Sequence, residues 1–118
     1  MIKSGKVWGE TVHFFGKNNV SIHRIKVKPG GFCSKHCHKY KFNLFYIESG
    51  SLIVKVWKND YDLVDITKLK EQQQMIMPPG EFHQFINESK DYCIVYEIYW
   101  TELDESDIIR DSVGGNIE

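Results

Sequence analysis

The sequence predicts an all-β fold, a sandwich or closed barrel, on three observations. Apolar and polar residues alternate in several short runs, as in half-buried strands. Glycine, proline, asparagine and aspartate punctuate the intervals between those runs. The chain has 118 residues, 42% of them hydrophobic and 14% aromatic, enough to close one modest core. Residues 1–118 read as a single domain, with no repeat, low-complexity run or linker.

The elements follow in order. Val20 to Val27 alternates along its length and is a strand. Lys28-Pro29-Gly30-Gly31 is a turn. Phe42 to Ile47 is a strand with aromatics on both faces, closed by Glu48-Ser49-Gly50, and Ser51 to Trp57 returns as its hairpin partner. After the turn Lys58-Asn59-Asp60, Tyr61 to Ile66 is the next strand. Met75 to Met77 runs into the Pro78-Pro79-Gly80 turn, and Glu81 to Ile86 follows it. Asp91 to Trp100 is a long last strand rich in β-branched and aromatic residues. Asp104 to Asp111 is the one short helix expected, with Asp104 or Ser106 as N-cap. The tail from Gly114 to Glu118 is expected to be loose.

Charge and composition exclude several classes of partner. A formal net charge of -1 offers no global field for nucleic acid or an anionic membrane. The apolar runs are far shorter than a membrane span. Met1 to Lys6 lacks the apolar core of a secretion signal, so the expected compartment is the cytoplasm. Cys33, Cys37 and Cys93 are an odd set, which reads as reduced thiols.

The chemistry concentrates in a two-part histidine signature. Gly30, His36, His38, Asn43 and Gly50 form the first part, and Pro78, Gly80, His83 and Asn87 the second. Two histidines two residues apart on a strand share a face. A third imidazole from another strand completes one side of a metal site. Gly30, Gly50 and Gly80 read as turn glycines with positive φ, and Asn87 as a strand-ending side chain bonded to backbone. Cys37 falls between the two histidines and faces the opposite way. His13 and His23 lie outside the signature, and His23 is expected to face solvent.

This signature resembles the double motif of the cupin superfamily, G-x5-H-x-H-x4-E-x6-G followed by G-x5-P-x-G-x2-H-x3-N. Asn43 stands at the family's glutamate and Gln72 at the glycine that opens its second motif. The flanks are most similar to the C-terminal cupin domain of type II mannose-6-phosphate isomerases. Lys6-Val7-Trp8-Gly9-Glu10-Thr11 looks like its R-P-W-G-x-Y opening, and Ile25 to Gly30 like its I-x-V-x-P-G segment. Glu97 lies in a strand like its I-E-V-Q, and Asp107-Ile108-Ile109-Arg110 is similar to D-D-I-V-R. The resemblance implies a double-stranded β-helix, the cupin or jelly-roll barrel, with a short C-terminal helix.

It also implies one divalent metal ion (Zn, Fe, Ni or Mn) on His36, His38 and His83. Asn43 would be a weak carbonyl ligand or a hydrogen-bond partner for bound water. Glu97 is the candidate catalytic acid/base, provided it faces inward, with Glu81 as the other candidate. Lys35, Lys39 and Lys41 are placed to hold a phosphate at the mouth. The implied function is a metal-binding cupin that acts on or binds a small sugar or sugar phosphate, isomerase-like. The alternatives are a non-catalytic small-ligand-binding cupin and a three-histidine metal-dependent dioxygenase. Trp57, Tyr99 and Trp100 supply bulk for an apolar sheet face, so a homodimer is expected.

Overall fold

Alternation in the chain is realised as two facing antiparallel sheets. The computed structural model describes residues 2–58, 63–101, 106–107 and 109–117, the side chain of residue 14 excepted. Among these residues the strands are β1 (Ile2–Lys6), β2 (Gly9–Lys17), β3 (Val20–Val27), β4 (Phe42–Ser49), β5 (Leu52–Trp57), β6 (Val64–Leu69), β7 (Gln74–Met77), β8 (Phe82–Ile86) and β9 (Cys93–Trp100). They form a six-stranded sheet in the order β1-β2-β3-β9-β4-β7 and a three-stranded sheet in the order β6-β5-β8.

The core lies between the sheets. From the larger sheet come Ile25, Val27, Phe45, Ile47, Cys93 and Val95, each no more than 1% exposed. The smaller sheet answers with Leu52, Val54, Val56 and Phe85. Each such side chain contributes roughly 1.5–3 kcal/mol by leaving water. Register accounts for their meeting, since Ile25 and Ile47 both pair with Val95 and Val27 pairs with Cys93.

The connection from β3 to β4 places the first two histidines. It is not a regular strand, contrary to the sequence expectation for His36 to His38. It runs beside β8 through two isolated bridges, Phe32 to Ile86 and His36 to His83. Four steps along the connection match three along β8, so one extra residue is accommodated as in a bulge. Reciprocal backbone bonds, His36 N to His83 O at 3.0 Å and His83 N to His36 O at 2.8 Å, fix the two histidines side by side. Gly80 N donates to His38 O at 2.8 Å, which anchors the second histidine to the Pro-Pro-Gly turn. Asn87 is fully buried and behaves as expected, donating to Val27 O and Asp91 O and accepting from Ser89.

Three departures from the expectation have physical causes. First, β1 and β2 were not anticipated. All of β1 is exposed, and a register shift between His13 and Phe15 interrupts the period of β2. Second, the strand expected over Tyr61 to Ile66 is displaced to Val64–Leu69, while Tyr61 and Asp62 lie outside the described residues. Third, no helix is found in the described part of 104–111. Ser106 is in a turn and Asp107, Ile109 and Arg110 have no regular structure; Asp104, Glu105 and Ile108 lie outside the description. Ile109 is 99% exposed, so the described residues of this segment bury no apolar side chain to offset the cost of helix nucleation.

Gly30, Gly50 and Gly80 all have positive φ, as expected. Gly9 is the glycine with least freedom to change, because its φ is 152° and an added Cβ would lie 1.8 Å from Lys26 O. Gln72 explains the family departure at that position, since its φ of 66° keeps the left-handed backbone that glycine would adopt without strain. Gln72→Gly is therefore expected to stabilise the protein by about 0.5–1 kcal/mol, read as a higher urea midpoint at unchanged slope.

Candidate metal centre and adjoining cavity

The two backbone alignments bring three imidazoles to one point. His36, His38 and His83 have their ligand nitrogens within 4.8 Å of one another. The ring centroids are 4.6 Å apart for His36 and His83, 5.2 Å for His36 and His38, and 5.5 Å for His38 and His83. His83 is 1% exposed, while the other two are half-buried.

Local hydrogen bonds select the tautomers. His83 Nδ1 donates to Glu81 O at 3.0 Å, and His36 Nδ1 donates to Ser34 O at 2.8 Å. Each leaves Nε2 unprotonated, the form that binds a metal, although the His83 lone pair accepts from the Asn43 amide at 3.3 Å, and a carbonyl behind the ring is the common support for such a ligand. His38 Nε2 is buried with no hydrogen-bond partner. Burial holds the His83 imidazole down to about 4, with the neighbouring His36 and His38 adding to that effect. The His38 value is lowered as well, by burial first and then by His36 and Lys41. Neutral lone pairs and an unpartnered buried nitrogen are the chemistry of a divalent-ion site, and the donor set fits one.

Asn43 is completely buried on β4, and its amide nitrogen, rather than its carbonyl, faces His83 Nε2 at 3.3 Å. The same side chain hydrogen-bonds the Glu97 carboxyl. Its carbonyl oxygen has no partner. Asn43 thus links a histidine of the cluster to the carboxyl group of β9.

Glu97 faces inward. It lines a cavity of about 270 Å³ together with Lys6, Trp8, Thr11, His23, Cys33, His36 and Tyr99. Burial raises its carboxyl to about 7, against the lowering effect of hydrogen bonds from Tyr99 and Asn43 and of the Lys6 charge. Tyr99 is pushed well above the usual phenol range, by burial first and then by Glu97, so it remains a hydroxyl donor. Burial likewise raises Cys33 to about 11 and keeps it a thiol. Cys33, Cys37 and Cys93 are all free.

Several expected positions differ. His23 does not face solvent; it is half-buried in the cavity wall, with Nε2 2.9 Å from Ser21 Oγ and its ring 4.8 Å from that of His13. Among the lysines, Lys35 sits over the Trp57 ring at 4.2 Å and Lys39 over Tyr40 at 5.2 Å. Lys41 approaches Tyr99 at 5.5 Å, and Lys6 is the lysine that lines the cavity. Glu81 contributes its backbone carbonyl to His83. Lys6, Trp8 and Tyr99 were not singled out for the site. A usable signal existed only for His23, which shares parity with the core residues Ile25 and Val27.

Comparison with known proteins adds the fold family. Residues 23–99 match the family model described as the cupin domain. The Schizosaccharomyces pombe Cnp3 cupin domain superposes with a TM-score of 0.72 at 16% identity, over 82% of this chain and 67% of that one. KdgF from Halomonas sp. gives 0.70 at 13% identity, over 85% and 84%. CapF, solved with the inhibitor 3-isopropenyl-tropolone, gives 0.78 at 16% identity over 88% of this chain, which spans about a third (31%) of CapF. At these identities the likeness concerns the fold. No curated protein matches the chain.

Proposed function

The chain belongs to the cupin domain family, and from that premise we propose that it is a metal-dependent enzyme of proton transfer on a small sugar phosphate. The observation that carries this reading is Glu97: a half-buried carboxyl raised to about 7, in the same cavity as His36 and joined through Asn43 to His83. A group poised near neutrality can both take and return a proton. His36, His38 and His83 would hold one divalent ion, which when bound would act as a Lewis acid toward a carbonyl oxygen.

The chain's own residues divide the remaining work. Glu97, as carboxylate, takes the proton from the carbon beside a sugar carbonyl. The C–H electron pair becomes the new C–C double bond, and the carbonyl π pair moves to oxygen. A second proton passes from the neighbouring hydroxyl to the former carbonyl oxygen. The new carbonyl forms at the deprotonated oxygen as the C–C double bond returns its electron pair to the former carbonyl carbon, which takes back the first proton, and aldose becomes ketose. Tyr99 and Asn43 orient Glu97 by hydrogen bonds. Trp8 and Phe85, edge to face at 5.1 Å, form the apolar part of the cavity wall. Lys6 supplies the cation for the phosphate, in place of the rim lysines expected from sequence. On the same reading the domain works in the cytoplasm as a homodimer; its three free thiols are in keeping with a reducing compartment.

The test is hydrogen exchange in deuterated water, with metal-loaded protein and mannose 6-phosphate or fructose 6-phosphate, followed by proton NMR. Loss of the C–H signal next to the carbonyl is expected. Glu97→Gln is expected to slow it about a hundredfold or more at unchanged metal content. Binding without exchange would replace this reading with a ligand-binding module. Oxygen consumption by the iron-loaded protein would replace it with the dioxygenase.

A further inference from the structure

Beyond Glu97 the cavity wall carries donors that the proton transfer does not use. Register sets His13, His23 and Glu97 in one row across β2, β3 and β9. On the other side of β9 the sheet continues to β4, which carries Asn43 against His83. In strand order Glu97 therefore stands between the three-histidine cluster and a wall built from β1, β2 and β3. Lys6, Thr11 and His23 line the cavity from those strands.

The hydrogen bonds of His23 leave one ring nitrogen for a ligand. Ser21 Oγ, outside the cavity lining, lies 2.9 Å from Nε2. With that hydroxyl donating to Nε2, the proton of the neutral ring is assigned to Nδ1. Nδ1 is 3.5 Å from Thr11 Oγ1, at the limit of a hydrogen bond. Among the described residues Lys6 takes part in no ion pair. Three donors thus share one wall, and none is held by a strong internal partner.

Charge at this wall is unbalanced as well. The His13 ring lies 4.8 Å from that of His23. Burial first, then His13, Lys41 and Lys6, lower the His23 imidazole from its usual value, so its surroundings disfavour a further positive charge. The carboxyl groups nearby do not offset them. Glu10 is paired with Lys3 at 3.1 Å, and Glu97 is raised to about 7.

We propose that this wall is an anion subsite, in which Lys6, Thr11 and His23 hold a phosphate carried on a carbon remote from the reacting carbonyl. Three donors suit the three terminal oxygens of a phosphate monoester, whereas a carboxylate has only two. From β4, where Asn43 meets His83, to β3, where His23 stands, is two strand spacings, roughly 10 Å. An extended hexose 6-phosphate spans that interval from carbonyl to phosphate, and a triose phosphate falls short of it. The substrate class narrows to a pentose or hexose with a terminal phosphate. The proposal rests on the sugar-phosphate reading of the cavity and adds to it two residues and the position of the phosphate.

The test uses protein stripped of metal and then freed of chelator, titrated with inorganic phosphate at constant ionic strength. Proton NMR follows the histidine Cε1–H signals at several pH values, with His23 assigned by its loss in His23→Gln. A saturable shift of the His23 signal is expected, and its titration midpoint should rise by about one unit as the dianion binds. His23→Gln and Thr11→Val are each expected to weaken phosphate binding about tenfold, with unchanged circular dichroism spectra. A His23 signal indifferent to phosphate overturns the proposal. Binding that survives both substitutions also overturns it, as does acetate that binds as tightly as phosphate. Saturable binding at His23 without isotope exchange in the metal-loaded protein would refute the enzymatic reading and keep the subsite. Exchange at equal efficiency with free fructose and fructose 6-phosphate would keep the enzymatic reading and refute the subsite.

Discussion

Addition of a divalent metal at a hundred times its dissociation constant is expected to raise the melting temperature by about 10 °C, and His36→Ala is expected to abolish most of that rise. A ligand at this excess that binds only the folded chain contributes about 2.7 kcal/mol. In a domain of this size each kcal/mol moves the midpoint by about 4 °C. The site needs little reorganisation to accept the ion. Backbone carbonyls hold Nδ1 of His36 and His83, His38 Nε2 is buried without a partner, and only the Asn43 amide must turn away from His83 Nε2. His36 is the informative substitution because it is half-exposed, so the metal-free variant keeps its core. His83 is not, since its removal leaves a cavity and deprives the Asn43 amide of an acceptor, and the apo protein itself would melt lower. Differential scanning calorimetry with Zn, Ni, Mn and Fe(II) in turn reads the effect. An equal rise in wild type and His36→Ala would show that the ion binds elsewhere.

The histidine cluster was legible because it depends on spacing and local turns. His36 and His38 are two apart, Gly80 and His83 follow fixed prolines, and these short-range features survive even though the first pair sits on an irregular connection. The cavity was less legible because its walls are assembled from strands distant in sequence. Lys6 belongs to a strand exposed on every residue, which carries no alternation to read. His23 was misassigned for a more instructive reason. Strand β3 has apolar residues at both parities, Val20 and Ile22 on one face and Ile25 and Val27 on the other. Alternation locates the core only when the second face is polar. The larger sheet breaks that condition, because its outward row of Ile22, Ile98 and Leu44 is apolar as well.

Between pH 4.5 and 6.5 the metal-free protein is expected to show little change of stability, and single substitutions are expected to expose two large opposing slopes. Burial lowers His83 from 6.5 to about 4, so in this window the unfolded chain binds a proton that the folded chain refuses. Stability from His83 therefore rises with pH and is lost as pH falls toward 4. His38, also lowered, adds in the same direction. Glu97 does the reverse. Its carboxyl is raised from 4.5 to about 7, so the folded chain keeps a proton that the unfolded chain has released. Stability from Glu97 is present at low pH and is lost as pH rises through 7. Each shift corresponds to roughly 2–3 kcal/mol once solvent screening in the cavity is allowed for. Of the other groups facing the cavity, His23 is also lowered, by burial first and then by His13, and adds in the His83 direction; Tyr99 stays protonated throughout, Asn43 does not titrate, and Lys6 only tempers the rise of Glu97. Glu97→Gln should leave a protein whose stability climbs by about 2–3 kcal/mol from pH 4 to 6.5, and His83→Gln one whose stability falls by a similar amount from pH 4.5 to 7. Urea denaturation in EDTA at half-unit pH steps measures both. A steep wild-type slope that neither substitution alters would show that His83 and Glu97 do not exchange protons with the fold in this way.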